Sequence, residues 1–282
     1  MTTCGYIGLG DMGSAMVECF LAAGGELVVH DLDVERVDAM VALGASAAGS
    51  AAEVAQRCDV IEVCVPAAHH VEAVLNGPDG AARSGRAGTV VLIHSTVHPK
   101  TVVAEAERAR AWGGQVFDVC VGGGVVNARE GELTLFVGGL GDLAPEVVAL
   151  LDVYGSQVID AGPVGAGAAL KIGFNVMTYA QFAAARTGVD LVKAHGADPE
   201  ALIDAWRHVG QLGVLTERAL PLFSMTPDQI EELGMAGFMR GHVELAEKDL
   251  TLAREVGGAA DAINGFLDGV RRAMPSVYSL ET

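Results

Sequence analysis

The segment that most constrains this chain lies near its N-terminus. Gly8-Leu9-Gly10-Asp11-Met12-Gly13 reads G-x-G-x-x-G, directly after a β-like run, Cys4 to Leu9, and at the start of a helical run from about Met12 to Ala23. Three glycines at this spacing say little alone, because the chain has 37 glycines. The strand–loop–helix setting is what turns them into a dinucleotide fingerprint. Gly8 permits the tight turn, Gly10 lets the backbone approach a pyrophosphate, and Gly13 lets helix and strand pack closely. The pyrophosphate then rests on the positive helix N-terminus, among the amides of Leu9 to Gly13. Asp31 closes the second β run, eighteen residues after Gly13. A carboxylate there accepts both ribose hydroxyls of NAD and repels the 2′-phosphate of NADP, so NAD is expected and NADP disfavoured. The plainer alternative is an ordinary tight turn, with Asp31 as a helix cap and Asp33 as its rival in that role.

Short β-like and helical runs alternate through the first half. After Glu26 to His30 comes a helical stretch, Val34 to Leu43, then β-like runs at Val60 to Val65, Thr89 to Ile93 and Gln115 to Phe117. Strands separated by helices imply right-handed crossovers and a parallel sheet covered on both faces. Leu133 to Val137 and Gln157 to Ile159 would extend it. Beyond Gly162-Pro163 the strand signals stop. Val164 to His195 reads as one long apolar helix, Asp198-Pro199 as a helix start, and further helices follow near Gly213 to Phe223, Gly241 to Val256 and Ala260 to Ala273. Ser224 to Arg240 is expected to be a loop. The fold class is therefore α/β, a doubly wound, mostly parallel sheet of Rossmann type over residues 1–162, followed by an all-helical part over residues 163–282.

Charge and cysteines narrow the function. Eighteen Lys and Arg face 36 Asp and Glu, a net charge of -18, which repels nucleic acid and anionic membranes alike. The five cysteines are an odd number without C-x-x-C spacing and suit free thiols in a reducing compartment. The first residues show no secretory signal, and a cytoplasmic protein is expected. His69-His70, His94 and His98 lack an accompanying carboxylate cluster, so no metal is expected. They read as surface or pocket-rim histidines, with a substrate contact by His94 or His98 as the alternative.

Lys171 is the single charge from Ala161 to Ala185. An ammonium on so apolar a helix is paired, snorkelling or functional. Desolvation would bring such a lysine toward the working range of a general acid/base, and Asn175 follows one turn later on the same helix face. A structural lysine reaching a carboxylate at the domain junction is an equal alternative.

These segments, with Ser95-Thr96-Val97, Gly122-Gly123-Gly124, Gly165-Ala166-Gly167 and Lys248-Asp249-Leu250, fall in the order seen in the β-hydroxyacid dehydrogenases. The chain resembles that family from about Gly5 to about Arg272. The resemblance implies hydride transfer between NAD and a short 3-hydroxy acid or its semialdehyde, with Lys171 as the catalytic lysine and Asn175 beside the substrate. It implies that Gly8 to Gly13, Asp31, Val65, Pro66, His70, Thr96 and Lys248 border the cofactor. Ser95 and the backbone of Gly122, Gly123 and Gly124 would orient the substrate's acid group. It also implies a homodimer or homotetramer packed through the helical part. On spacing alone, Lys248 reads as half of a helix ion pair with Glu244, and only the resemblance makes it a cofactor contact.

The departures matter as much. The family's substrate loop usually reads Asp-Ala-Pro-Val-Ser-Gly-Gly, whereas here it is Asp118-Val119-Cys120-Val121-Gly122-Gly123-Gly124. Gly122 removes a side-chain donor to the substrate carboxylate, worth about 1.5–3 kcal/mol, and leaves room for a bulkier substituent. With the histidines at 70, 94 and 98, this argues against 3-hydroxyisobutyrate itself as the substrate. Imine reductases share the two-domain plan, but their lysine position carries Asp or Tyr. 6-Phosphogluconate dehydrogenase is longer, and Asp31 does not suit its 2′-phosphate. A non-catalytic NAD-binding scaffold is the remaining alternative. Cys120 is expected to be a packed small hydrophobe, and Met225, Met235 and Met239 either an adaptable pocket or core filling.

Overall fold

The computed structural model describes residues 2–258 and 260–280. The chain divides by contacts into two compact units, Met1–Lys171 and Ile172–Thr282.

The first unit is built on one eight-stranded sheet: β1 (Cys4–Ile7), β2 (Leu27–His30), β3 (Ser46–Ala47), β4 (Val60–Val63), β5 (Val90–Ile93), β6 (Gln115–Gly122), β7 (Leu133–Gly138) and β8 (Gly155–Gly162). Their order is β3-β2-β1-β4-β5-β6-β7-β8. The first six are parallel, β7 runs antiparallel to β6, and β8 is parallel to β7. The strand order reverses between β1 and β4, so the loop leaving β1 opens at the crevice where doubly wound sheets take their ligands. Strands β1, β4 and β5 are buried throughout, as parallel strands covered on both faces must be. The intervening helices are α1 (Asp11–Ala22), α2 (Val34–Ala42), α3 (Ala51–Arg57), α4 (Ala68–Asn76), α5 (Pro99–Ala109), α6 (Val125–Arg129) and α7 (Pro145–Leu151).

The core of this unit contains polar groups that the sequence pattern did not announce. His94 is 2% exposed, not a rim residue. Its Nδ1 lies 2.7 Å from the Val119 carbonyl and its Nε2 3.2 Å from Glu62 Oε2. A carbonyl only accepts, which places the proton on Nδ1. The ring stacks on Tyr6 and meets Tyr154 edge-on. His94 thus ties β4, β5 and β6 together. His98 is also engaged locally, since its Nδ1 accepts from Lys100 N at 3.0 Å and caps α5, whose first residue is Pro99.

The second unit contains α8 (Ala166–Ala194) from Ile172 onward, α9 (Pro199–Val209), α10 (Val214–Ser224), α11 (Pro227–Glu232), α12 (Ala236–Gly257) and α13 (Asp261–Val277). Asp198 caps α9 by accepting from Glu200 N, with Pro199 in the first turn. The expected loop at 224–240 is instead α11 and the first turn of α12. Thr226 and Gln229 form a reciprocal capping box there, and Ile230 and Met239 are buried. Met239 fills the helical core and Met235 packs against it, whereas Met225 both packs on that core and lines an open cavity with Gln229, Glu232 and Leu233. No helix among the described residues is long and apolar enough to cross a membrane.

Candidate active site

Each glycine of the first loop has a distinct steric reason. Gly8 has φ +98°, and a Cβ there would stand 2.2 Å from the Cys64 carbonyl oxygen at the end of β4. A Cβ at Gly13 would stand 1.9 Å from the Gly8 carbonyl oxygen, so only glycine lets α1 pack onto the loop. Gly10 is the opposite case: a Cβ would meet nothing nearer than Arg36 Nη1, 3.7 Å away. It is also the N-cap of α1 and provides no side-chain cap. The first turn of α1 is therefore left to an external anion, and the cradle fits a pyrophosphate.

Asp31 is attached to this loop. Its Oδ2 accepts from Leu9 N at 2.5 Å and its Oδ1 from Asp33 N at 2.8 Å. Asp33, by accepting from Glu35 N, is the cap of α2, so Asp31 is not needed for that role. Each Asp31 oxygen keeps a lone pair for a ribose hydroxyl.

Along the crevice, Val65 N donates to Ser95 Oγ at 2.8 Å, joining the ends of β4 and β5. Ser95 is 4% exposed. Its hydroxyl serves the backbone as an acceptor and retains its proton for donation. Pro66 is exposed, and His70 lies half-buried in the first turn of α4. Burial, then the His69 ring beside it, pushes the His70 pKa below the usual value, so it is neutral at pH 7. Thr96, following Ser95, is half-buried.

The substrate-loop candidates end β6. Gly122 is buried and pairs with Thr134, whereas Gly123 and Gly124 have φ of +132° and +86°. Both conformations favour glycine; a Cβ at Gly124 would meet nothing within 4 Å, whereas one at Gly123 would stand 3.0 Å from Asn127 Cβ. Cys120 is fully buried, consistent with a packed small residue. Earlier on β6, Asp118 is also fully buried and accepts from Gly165 N at 2.7 Å and Ala168 N at 2.8 Å. These two bonds bring the start of α8, with half-buried Lys171, onto the sheet unit.

Within the second unit, Asn175 is 7% exposed and its Nδ2 donates to Asp249 Oδ2 at 2.6 Å. The Tyr179 hydroxyl donates to the same oxygen at 3.0 Å. Lys248 Nζ stands 2.9 Å from Asp249 Oδ1, an ion-pair contact without the alignment of a hydrogen bond. Burial, and next the Asp249 charge, pushes the Tyr179 pKa well above its usual value and keeps the phenol a donor. Sequence reasoning assigned roles to Asn175 and Lys248 and missed the carboxylate that holds both. Asp249→Ala removes the acceptor of two buried or half-buried donors, and a loss of roughly 3 kcal/mol is expected. Thermal denaturation checks this, and an unchanged Tm would contradict it. Among the described residues no group of three His, Cys, Asp or Glu side chains is gathered to hold a metal.

Comparison with known proteins agrees with the fold and the loop. The family described as the NAD-binding domain of 6-phosphogluconate dehydrogenase matches residues 3–162. An NAD-dependent L-serine dehydrogenase of Pseudomonas aeruginosa is 33% identical, over 90% of this chain and 85% of that relative. A 2-(hydroxymethyl)glutarate dehydrogenase of Eubacterium barkeri is 32% identical, over 90% and 81%. The crystal structure of 3-hydroxyisobutyrate dehydrogenase from Salmonella typhimurium superposes with a TM-score of 0.81 at 26% identity, covering 99% of this chain and 96% of that one. With these relatives, and with the glycine cradle, Asp31 and the α8 lysine in this order, the chain belongs to the β-hydroxyacid dehydrogenase family and carries its NAD-binding Rossmann domain.

Proposed function

We propose that the protein oxidises a short 3-hydroxy acid of the form HOCH2–CH(R)–COO− to the corresponding semialdehyde, with NAD as acceptor and Lys171 as general acid/base. The observation that carries this reading is Lys171 itself, the single charge in the apolar stretch 161–185, half-buried on a helix whose start is bonded to the sheet unit. The substrates named for the three relatives share that skeleton and differ in R: an amino group in serine, a carboxyethyl group in 2-(hydroxymethyl)glutarate and a methyl group in 3-hydroxyisobutyrate.

Gly8 to Gly13 would hold the pyrophosphate and Asp31 the ribose, with Val65, Pro66, His70, Thr96 and Lys248 along the cofactor. The nicotinamide, when bound, supplies the hydride acceptor. Lys171 takes the hydroxyl proton in oxidation and returns it in reduction. The amides of Gly123 and Gly124, the Ser95 hydroxyl and Asn175 orient the acid. With glycine at 122 and no side chain there, a substituent larger than methyl is favoured. Asp31 argues for NAD over NADP.

In this reading residues 1–162 are the cofactor domain and residues 163–282 the substrate and oligomerisation domain. Leu170, Met177 and Leu191 on α8 are exposed apolar residues, and we assign them to contact with a second copy of the chain. Light scattering checks that assignment: a dimer or tetramer is expected, and a monomer contradicts it. We assign the protein to a reducing compartment, the cytoplasm, a reading that the free cysteines support.

The test is initial-rate NADH formation across 3-hydroxypropanoates that vary in R, with NADP as the control cofactor. NAD-dependent turnover that improves from methyl to larger R is expected. NADH binding without turnover of any of these acids would refute the reading.

A further inference from the structure

We propose that Asp118 is a positioning residue for Lys171, acting from the sheet as the N-terminal cap of α8. The proposal rests on the reading of Lys171 as the acid/base group. A helix N-terminus is ordinarily satisfied by its own N-cap side chain, which accepts the amide of the second or third helical residue. Here the N-cap position is Gly165, which has no side chain and a φ of +95°. Asp118, on a strand 47 residues earlier, takes over: one oxygen accepts from Gly165 N and the other from Ala168 N, the third residue of the helix.

The surroundings are shaped to admit this carboxylate. Gly138 is its partner in the β6–β7 register, and a Cβ there would stand 2.2 Å from Asp118 Oδ1. A Cβ at Gly167 would stand 2.3 Å from the Phe136 carbonyl oxygen and 2.9 Å from Asp118 Oδ2. Glycines at 138 and 167 therefore leave a slot into which Asp118 fits with no exposed surface. Two bonds from one rigid group fix both the axial register and the rotation of the first helical turn. Lys171 follows Ala168 by three residues, a rise of about 4.5 Å along the axis, and lies on the same side of the helix. Four residues beyond Asp118, the same strand ends in the Gly122 to Gly124 turn. One carboxylate thus references the lysine to the strand that carries the substrate loop.

The geometry sets the test, because a lysine misplaced by about 1 Å costs on the order of 100-fold in rate. Asp118→Asn preserves size but presents an NH2 to one of the two amide donors. The expected result is a fall in kcat of about 100-fold, with NADH affinity, read by fluorescence titration, unchanged. In the Lys171→Ala background the same substitution should cost nothing further, because its effect passes through the lysine. A wild-type kcat in Asp118→Asn, or a second large loss on top of Lys171→Ala, would overturn the proposal. If Asp118→Asn fails to bind NADH, Gly138→Ala replaces it, crowding Oδ1 while keeping the charge. It should lower kcat with NADH binding retained, and a wild-type kcat there overturns the proposal equally. Failure of the underlying reading looks different: Lys171→Ala itself would then turn over normally.

Discussion

Lys171→Ala is expected to lower kcat by about 1,000-fold while leaving NADH affinity unchanged, within the range that a positioned acid/base group contributes. The physical reason lies in what else is available near the start of α8. Ser95 keeps a proton, but its oxygen already accepts from Val65 N. Asp118 has both oxygens facing amides of the α8 start, and His94 is enclosed in the core against Glu62. None of these groups is placed to take over a proton from an alcohol. Lys171→Arg should be nearly as damaging, since a guanidinium does not give up its proton in this pH range. Stopped-flow measurement of NADH formation checks both variants. Turnover of Lys171→Ala at the wild-type rate would remove the lysine from the chemistry.

Asp31→Ala should weaken NAD binding by about 100-fold, from the loss of two charged hydrogen bonds to the ribose at about 1.5 kcal/mol each. NADP should lose much less, because the like-charge repulsion of its 2′-phosphate disappears with the carboxylate. The preference for NAD over NADP should therefore collapse toward parity. The bond from Leu9 N to Asp31 adds a second effect, since the glycine loop loses one of its anchors. Binding titrations with both cofactors separate the two contributions: loop loosening weakens both, whereas ribose recognition weakens NAD alone. Equal losses for NAD and NADP would show that Asp31 serves the loop and not the ribose.

What could be read from the sequence follows from how local each signal is. Glycines at 8 and 13 advertise their loop because steric exclusion by a Cβ acts within a few residues and across one strand neighbour, and Gly10 completes the local pattern at the start of α1. Buried parallel strands show as apolar runs for the same reason, and Asp198-Pro199 marks a helix start by its own chemistry. Residues whose partners are distant in sequence were not legible. Nothing beside His94 identifies Glu62, 32 residues away across the β4–β5 pair, as its partner. Asp118 looks like the first letter of a substrate loop, and its bonds to Gly165 and Ala168 arise only when β6 and α8 meet. Asp249 falls inside a segment the family pattern marks, Lys248-Asp249-Leu250, yet its partners Asn175 and Tyr179 lie on another helix and its role is invisible until they meet. The stretch 224–240 is a different case. Thr226-Pro227-Asp228-Gln229 is a capping-box signature, so that helix was legible and its signal was outweighed by irregular hydrophobic spacing.

Supplying a 3-hydroxy acid deuterated at C3 with NAD, and reading the nicotinamide product by mass spectrometry, tests the central claim most directly. Hydride transfer from that carbon predicts one deuterium per reduced nicotinamide for wild type, formed at the rate of semialdehyde, and only trace label with Lys171→Ala. Wild-type protein that binds NAD yet leaves the nicotinamide unlabelled with every 3-hydroxy acid supplied would contradict the account.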